Sequence, residues 1–137
     1  MTIDGLITIA SGNLPGVTMD RLAAAVTAHG MTIVARIDYA AAAAKAGLAL
    51  TPTDLLIFGN PLAGTPLMQV SQTIGIDLPL KALVWSDGAG RTWISYNNPQ
   101  WLAQRHGAAT GMGGPAAAMA RALDEIAKIA AGSKESP

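Results

Sequence analysis

Short apolar runs bounded by glycine, asparagine or proline recur along this chain and predict strands. We expect strands at residues 6–10, 32–38, 54–58, 78–86 and 91–96. In the second of these, positions 33, 35 and 37 are apolar and alternate with a set that includes Arg36 and Asp38. That pattern is typical of a sheet with one wetter face.

Apolar residues at helical spacing, together with capping residues, predict helices at residues 18–29, 39–46, 66–72, 99–105 and 115–131. The start and stop signals are Thr18 with Gly30, Asp38 with Gly47, Thr65 with Pro66, Asn98 with Pro99, and Pro115. The predicted order is β-α-β-α-β-α-β-β-α-α. Because its closing hairpin is antiparallel, this order favours an α+β fold over a parallel doubly wound sheet.

The hairpin surrounds the sequence Asp-Gly-Ala-Gly at residues 87–90, a strong turn signal. A four-residue loop would pair Trp85 with Thr92 and Val84 with Trp93. One face would then carry Leu83, Trp85, Ile94 and Tyr96, and the other Ala82, Val84 and Trp93. Both faces are partly apolar, so we expect one to pack on helices and the other on a partner.

The stretch at residues 51–66, with the sequence TPTDLLIFGNPLAGTP, joins a buried strand to a helix through a Gly-Asn-Pro stop. Such a junction places backbone amides and one amide side chain at the end of a sheet, where small ligands commonly bind. Gly59 is expected to supply unusual backbone angles or a close approach. Asn60 either holds a ligand or caps its own turn by bonding the backbone.

Composition and charge narrow the possible functions. Half of the 137 residues are apolar, 13% are charged and the formal net charge is zero. Nucleic acid and anionic membranes both require clustered Lys and Arg, so neither is expected as a partner. The sparsely charged surface favours burial of some apolar area in a homodimer.

The chain has no cysteine and two histidines, His29 and His106. Disulfides, thiolate metal sites and a cysteine nucleophile are therefore excluded. Each histidine precedes a glycine at a predicted helix end, where the helix dipole favours a cation. We expect no metal, no cofactor, no signal peptide and a cytoplasmic location. We also expect one domain at residues 1–131 and a flexible tail at 132–137.

Several motifs together resemble one bacterial family: FGNP at residues 58–61, GTPLM at 64–68 and DLPLK at 77–81, with the segment at 38–46 before them. The chain is similar to the family catalogued as domain of unknown function 302. That resemblance implies a TBP-like α+β fold, in which a curved and mainly antiparallel sheet of about five strands has helices on one side. It also implies a dimer. Many members carry histidine at the position of Tyr39.

These observations lead to a primary hypothesis of a homodimeric module that binds a small ligand near the FGNP loop. A non-enzymatic role is favoured over catalysis. The candidate ligand-binding residues are Tyr39, Phe58, Gly59, Asn60, Pro61, Gly64, Asp77, Leu78 and Pro79. Tyr39 is expected to direct its hydroxyl to the loop. No catalytic or metal-binding residue is predicted.

Two alternatives remain open. The first is an enzyme that uses Asp54 or Asp77 with Asn60 as a polarising group. The simpler interpretation is that Asp54 satisfies amides at a strand entry and that Asp77 lies in a turn. The second alternative is a structural interaction module, because apolar sheet faces alone explain the composition.

Overall fold

The computed structural model describes residues 2–109 and 114–132. Five strands form one sheet in the order β1-β5-β4-β3-β2, and every neighbouring pair is antiparallel. The strands are β1 (Leu6–Ser11), β2 (Thr32–Asp38), β3 (Thr53–Gly59), β4 (Leu80–Ser86) and β5 (Thr92–Asn97). β3 and β4 lie inside the sheet, and β1 and β2 form its two edges.

The helices are α1 (Pro15–Ala28), α2 (Tyr39–Lys45), α3 (Pro61–Val70), α4 (Pro99–Arg105) and α5 (Pro115–Ala131), with a 3₁₀ helix at Gln72–Ile76. The helices pack on one side of the sheet, and α1, α3, α4 and α5 contribute buried residues to the core. α2 contributes none. The predicted α+β class, with an open antiparallel sheet covered on one side, is confirmed.

Strict alternation in β4 decides which face of the sheet is covered. Leu80, Ala82 and Val84 are buried, whereas the residues between them are half-buried. Because side chains alternate between faces along a strand, the buried set must face the helices. Leu56 and Phe58 of β3 join this set at 1% and 0% exposure.

Two predicted helix starts are wrong. α1 begins at Pro15 rather than near Thr18, and α3 begins at Pro61 rather than at Pro66. In both helices proline occupies the first turn, where its missing N–H costs no hydrogen bond. Thr18 lies inside α1 and its hydroxyl donates to the Leu14 carbonyl at 2.9 Å. α3 ends at Val70, and Pro66 lies within it.

The predicted hairpin register is wrong by one residue. Trp85 pairs with Trp93, Val84 with Ile94 and Ser86 with Thr92. The Asp87 carboxylate widens the loop by accepting from the Arg91 amide at 2.9 Å and from the Trp93 indole at 2.9 Å. The core face therefore carries Ala82, Val84, Ile94 and Tyr96, and the opposite face carries Leu83, Trp85, Trp93 and Ser95.

β2 departs from the predicted alternation because it is an edge strand. Its register shifts between Ile33 and Ala35, and Val34 is 62% exposed. The bulge breaks the period of two, so apolar and polar residues are exposed alike. The remaining capping predictions hold: Asp38 caps α2, Asn98 caps α4, and Gly30 and Gly47 have positive φ.

Two segments lie partly outside the described residues. The glycine-rich sequence at residues 107–114, which predicts a flexible connector, includes the undescribed positions 110–113. The predicted tail includes 133–137, also outside the described part. Gly132 is described, and it ends α5 in the left-handed conformation with φ of 65°.

One glycine is required by its surroundings at the start of β1. Gly5 has φ of +76°, and a Cβ placed there would come within 2.6 Å of Trp101 Cε3. The Gly5 carbonyl also accepts from the Asn98 amide at 2.7 Å. This contact joins β1 to the start of α4, which Asn98 caps.

We therefore expect Gly5→Ala to lower the free energy of unfolding by about 2 to 4 kcal/mol, since it adds both backbone strain and a ring clash. The measurement is a urea denaturation midpoint. Gly88→Ala is the matched control, because Gly88 lies in the hairpin loop with open space around its α-carbon. Equal midpoints for the two variants would contradict the role assigned to Trp101.

Candidate functional site

Antiparallel pairing brings the start of β2, the end of β3 and the start of β4 together at one end of the sheet. Thr32 at the start of β2 lies opposite Gly59 at the end of β3. Leu80 at the start of β4 lies opposite Phe58. The FGNP loop is therefore flanked by two other chain segments, which is the placement that the sequence suggested for a ligand.

Asn60 links this end of the sheet to α3. Its side-chain oxygen accepts from the Leu62 amide at 2.9 Å, and Pro61 follows as the first helical residue. The capping interpretation of Asn60 is therefore the one observed. Among the described residues the amide nitrogen of Asn60 has no hydrogen-bond partner. The side chain has one oxygen in use and retains two free N–H donors.

A cleft of about 830 Å³ opens beside this loop. One wall consists of α3 and its preceding loop, with Asn60, Pro61, Leu62, Gly64, Pro66 and Met68. The opposite wall consists of α5, with Pro115, Ala118, Met119 and Ala122. The remaining lining residues are His29, Met31, Thr32 and Val34 on one side and Gly75, Leu78, Pro79 and Leu80 on the other.

The lining is almost entirely apolar. Among the described residues that form it, His29 is the single titratable side chain, and Thr32, Asn60 and Thr65 are the other polar ones. His29 Nδ1 donates to the Ala25 carbonyl at 2.9 Å, because a carbonyl oxygen can only accept. An apolar cleft with a few convergent polar groups has the usual character of a small-molecule site.

Gly59 differs from its prediction. It is not among the glycines with positive φ, so the expectation of unusual backbone angles is wrong. A Cβ at this position would lie 3.4 Å from Pro79 Cβ, an ordinary van der Waals contact, so the expected close approach is no tighter than usual. The Leu78–Pro79 peptide on the cleft wall is cis.

Asp77 lies just outside the lining and forms a separate polar cluster. Its Oδ2 accepts from His106 Nε2 at 2.6 Å and from Arg105 at 2.8 Å. His106 Nδ1 hydrogen-bonds the Thr73 hydroxyl at 2.9 Å. The cluster joins the end of α4 to the 3₁₀ helix, directly before the Leu78–Pro79 wall of the cleft.

Electrostatics in this cluster favour the charged carboxylate. Burial acts to raise the pKa of Asp77, but the hydrogen bond from His106 and the charge of Arg105 together outweigh it and lower that pKa. Burial also lowers the pKa of Lys81, with the nearby Asp77 charge acting in the opposite direction. Asp77 is therefore ionised at neutral pH, and its Oδ2 accepts from both His106 and Arg105.

Tyr39 and Asp54 lie at the other end of the sheet. Asp38 pairs with Asp54, and Tyr39 follows it as the first residue of α2. β3 separates Asp54 from the FGNP loop by about 15 to 20 Å at roughly 3.3 Å per residue. The expectation that Tyr39 directs its hydroxyl to this loop is wrong, because β2 runs away from the loop.

Six of the nine candidate residues line the cleft, namely Gly59, Asn60, Pro61, Gly64, Leu78 and Pro79. Phe58 is buried in the core, and Tyr39 and Asp77 lie outside the lining. Two further features were not predicted from the sequence. They are the α5 wall of the cleft and the Asp77–His106 bond, which joins residues 29 positions apart and has no local signal.

The described residues do not form a group of side chains that could hold a metal ion. Across residues 2–109 and 114–132, no three His, Asp or Glu side chains come close enough together to hold an ion. His29 and His106 occupy the C-caps of α1 and α4, as their positions before glycine predicted. Within the same residues, no helix combines the length and apolarity needed to cross a bilayer.

The fold and cleft define an α+β domain with an open antiparallel sheet, helices on one face and a ligand-sized opening at one end of the sheet. The sequence profile of the family described as "Domain of unknown function DUF302" matches residues 7–126, so the chain belongs to that family. A crystal structure described as an uncharacterized conserved protein DUF302 from Bacillus stearothermophilus superposes with a TM-score of 0.78. It is 20% identical and covers 93% of this chain and 99% of its own, which shows the shared fold.

Two curated relatives are named as ion channels. "Fluoride-specific ion channel FluC 1" of Brucella suis biovar 1 (strain 1330) is 45% identical over 128 residues, which cover 93% of this chain and 50% of that protein. The protein of the same name from Brucella abortus biovar 1 (strain 9-941) is 45% identical, with 47% of its length covered. The chain thus spans about half the length of the curated relatives it matches.

The Asp77 cluster gives a prediction with a definite pH dependence. Because the native pKa of Asp77 is lowered, its stabilising contribution is complete above its unfolded pKa and disappears as the pH falls through its native pKa. We expect Asp77→Asn to reduce the free energy of unfolding by about 1 to 3 kcal/mol at pH 7. The difference from the unmodified protein should shrink at strongly acidic pH, as measured by urea titration at each pH.

Asp124→Asn is the matched control for this experiment. It removes an exposed i,i+4 pair with Lys128, in which the two atoms are 2.9 Å apart. Exposed pairs contribute little, so its effect at pH 7 should be less than about 0.5 kcal/mol. A pH-independent loss in Asp77→Asn would show that the charge of Asp77 does not stabilise the fold.

Proposed function

We propose that this protein is a homodimeric module that binds a small, predominantly apolar ligand in the cleft beside the FGNP loop. The observation that carries the proposal is the cleft itself, with its volume of about 830 Å³ and its apolar lining. Ligand sites of this kind usually measure about 300 to 1,000 Å³ and combine apolar walls with few polar groups. We further propose that residues 1–131 act as one domain, and a cytoplasmic location stays a prediction.

The walls of the cleft combine adaptable and rigid residues. Met31, Met68 and Met119 line it, and methionine side chains adjust their shape to a bound molecule at low cost. Pro61, Pro66, Pro79 and Pro115 also line it and restrict the backbone around the opening. A rigid frame with flexible apolar side chains is suited to ligands of similar polarity and variable shape.

The geometry supports binding better than catalysis. Asp54 is paired with Arg36 at 2.6 Å and lies at the far end of β3 from Asn60. Asp77 accepts from two cationic or polar partners and lies outside the lining. A catalytic acid or base must reach the reacting group, and neither carboxylate faces the cleft that Asn60 lines.

The homodimer is supported by the side of the sheet that carries Leu55, Leu83, Trp85, Trp93 and Ser95, here called the open face. The two tryptophans stack with ring centroids 6.1 Å apart and an interplanar angle of 27°. Leu55, Leu83 and Trp85 border a shallow depression of about 280 Å³. A second copy of this chain, with the same half-buried apolar surface, is the occupant we propose.

A structural interaction module is the second candidate, and the curated relatives favour it. Those proteins are about twice as long as the matched segment and are named as fluoride-specific channels. Their additional length provides a covalent neighbour against which the open face of such a domain can pack. Under this alternative the open face binds another polypeptide, and the chain alone stays monomeric.

The first test fills the cleft from α5. Ala118 is exposed and lines the cleft, so Ala118→Phe should occupy its volume without disturbing the core. We expect the neutral apolar dye Nile red to bind the unmodified protein saturably, and its affinity to fall at least about tenfold in Ala118→Phe. The measurement is dye fluorescence against protein concentration.

Ala24→Phe serves as the control for added aromatic surface, since Ala24 is exposed on α1 and does not line the cleft. Its dye affinity should equal that of the unmodified protein. If Ala118→Phe binds Nile red as tightly as Ala24→Phe does, the dye site is not this cleft and the proposal loses its support.

The second test concerns the open face. Light scattering at micromolar concentration should give about twice the chain mass of 13.9 kDa. Leu83→Lys places a charge at the centre of the proposed contact and should give the monomer mass. Leu14→Lys, at a position 74% exposed before α1, should remain dimeric. Monomeric unmodified protein would reject the homodimer and favour the interaction module.

A further inference from the structure

We propose that the cleft selects an uncharged amphiphile: an apolar body with one hydrogen-bond-accepting head group, such as an alcohol or a ketone, bound by the Asn60 amide. This inference rests on the proposed function and specifies the chemical class of the ligand. It follows from three features of the lining, namely its charge, the position of its polar groups and the hydrogen-bond state of Asn60.

The first feature is the absence of ionic partners. Among the described lining residues there is no Lys, Arg, Asp or Glu. A charged head group that left water for this cleft would lose hydration without gaining a counter-ion, which costs several kcal/mol. Carboxylates, phosphates and ammonium ions are therefore poor ligands here, whereas a neutral head group loses much less hydration energy.

His29 does not change this conclusion. Its Nδ1 donates to the Ala25 carbonyl, and its Nε2 lies 3.7 Å from Glu125 Oε1. Any positive charge on the ring therefore already has a carboxylate beside it. An anionic ligand would compete with Glu125 for the ring and would be repelled by that carboxylate at the same time.

The second feature is that three of the four polar side chains lining the cleft belong to the segments around the start of β2 and the end of β3, whereas the fourth, Thr65, lies on α3. Thr32 lies opposite Gly59 across the β2–β3 ladder, directly before Asn60, and His29 is three residues before Thr32. Met68 of α3, Leu78 before β4 and Met119 of α5 supply large apolar side chains to the rest of the lining. A ligand with one polar end and one apolar end matches this division.

The third feature is the unused donor on Asn60. Its oxygen is held by the Leu62 amide, which fixes the side chain as the cap of α3. The remaining NH₂ can only donate, so its natural partner is an acceptor on the ligand. Few other polar side chains line the cleft. A sugar or a nucleotide, which carries many polar groups, would therefore leave most of its own polar groups unpaired.

The experiment compares three ligands with one tail. 1-Decanol, decanoate and decylammonium are titrated at pH 7 below their aggregation concentrations, and binding is measured by displacement of Nile red. We expect decanol to bind at least about tenfold more tightly than either ion. Equal or tighter binding of decanoate or decylammonium would overturn the inference while leaving the proposed function intact.

One variant isolates Asn60. Asn60→Asp retains an oxygen that can cap α3 and removes the amide donor, whereas Asn60→Ser would keep a hydroxyl donor. We expect Asn60→Asp to bind 2-decanone, whose carbonyl can only accept, about three- to tenfold more weakly with an unchanged melting temperature, which corresponds to the loss of one hydrogen bond. Unchanged 2-decanone affinity in Asn60→Asp would overturn the role of Asn60.

The two levels of proposal fail in distinguishable ways. If none of the three decyl compounds displaces the dye and Ala118→Phe has no effect, the cleft is not a ligand site and the proposed function fails. If all three displace it equally, the cleft binds apolar tails without regard to charge, and only the head-group inference fails.

Discussion

The structure depends on burial of β3, which lies inside the sheet between β4 and the edge strand β2. Leu56 and Phe58 are almost completely inaccessible to solvent, and each lies opposite a β4 residue that is also buried. A shift of one residue would expose both side chains and bury Leu55 and Ile57 instead. Because this register is fixed by burial, the position at which β3 leaves the sheet is fixed as well. The Gly59-Asn60-Pro61 junction, the start of α3 and the mouth of the cleft all follow from it.

The exposure of the edge strand β2 follows from the same arrangement. α1 crosses the sheet from β1 to β2 and buries Met19, Leu22 and Val26 against the central strands. β2, at the edge, receives no such cover and carries a bulge. Edge strands with bulges and charged residues resist pairing with other chains. This makes the open face a better candidate than the β2 edge for association with a second copy.

Local signals were sufficient for most of the secondary structure but not for every boundary. The Asn-Pro pair was interpreted correctly at Asn98 and overlooked at Asn60, although both cap a helix in the same way. Thr65-Pro66 resembled a better start because proline inside a helix is unfavourable. The hairpin register failed because it depends on the Asp87 carboxylate, whose bonds to Arg91 and Trp93 cannot be derived from loop length.

The parts of the candidate site that are close together in the sequence could be predicted, whereas the parts contributed by distant segments could not. The candidates at residues 58–61, 64 and 77–79 come from nearby parts of the chain, and six of these eight residues line the cleft. Tyr39, a candidate through the family resemblance, lies at the end of β2 away from the FGNP loop. The α5 wall, with Ala118 and Met119, comes from the last part of the fold and requires knowledge of the tertiary arrangement.

The placement of the tryptophans gives this protein a useful optical property. Trp85 and Trp93 stack on the open face, Trp101 packs over Gly5, and none of the three lines the cleft. Indole emission depends on the polarity around the ring, so it responds to what covers the open face. A ligand bound in the cleft would contact none of these rings. Intrinsic fluorescence would therefore separate the proposed association of subunits from the proposed occupation of the cleft, two events that a melting curve would combine.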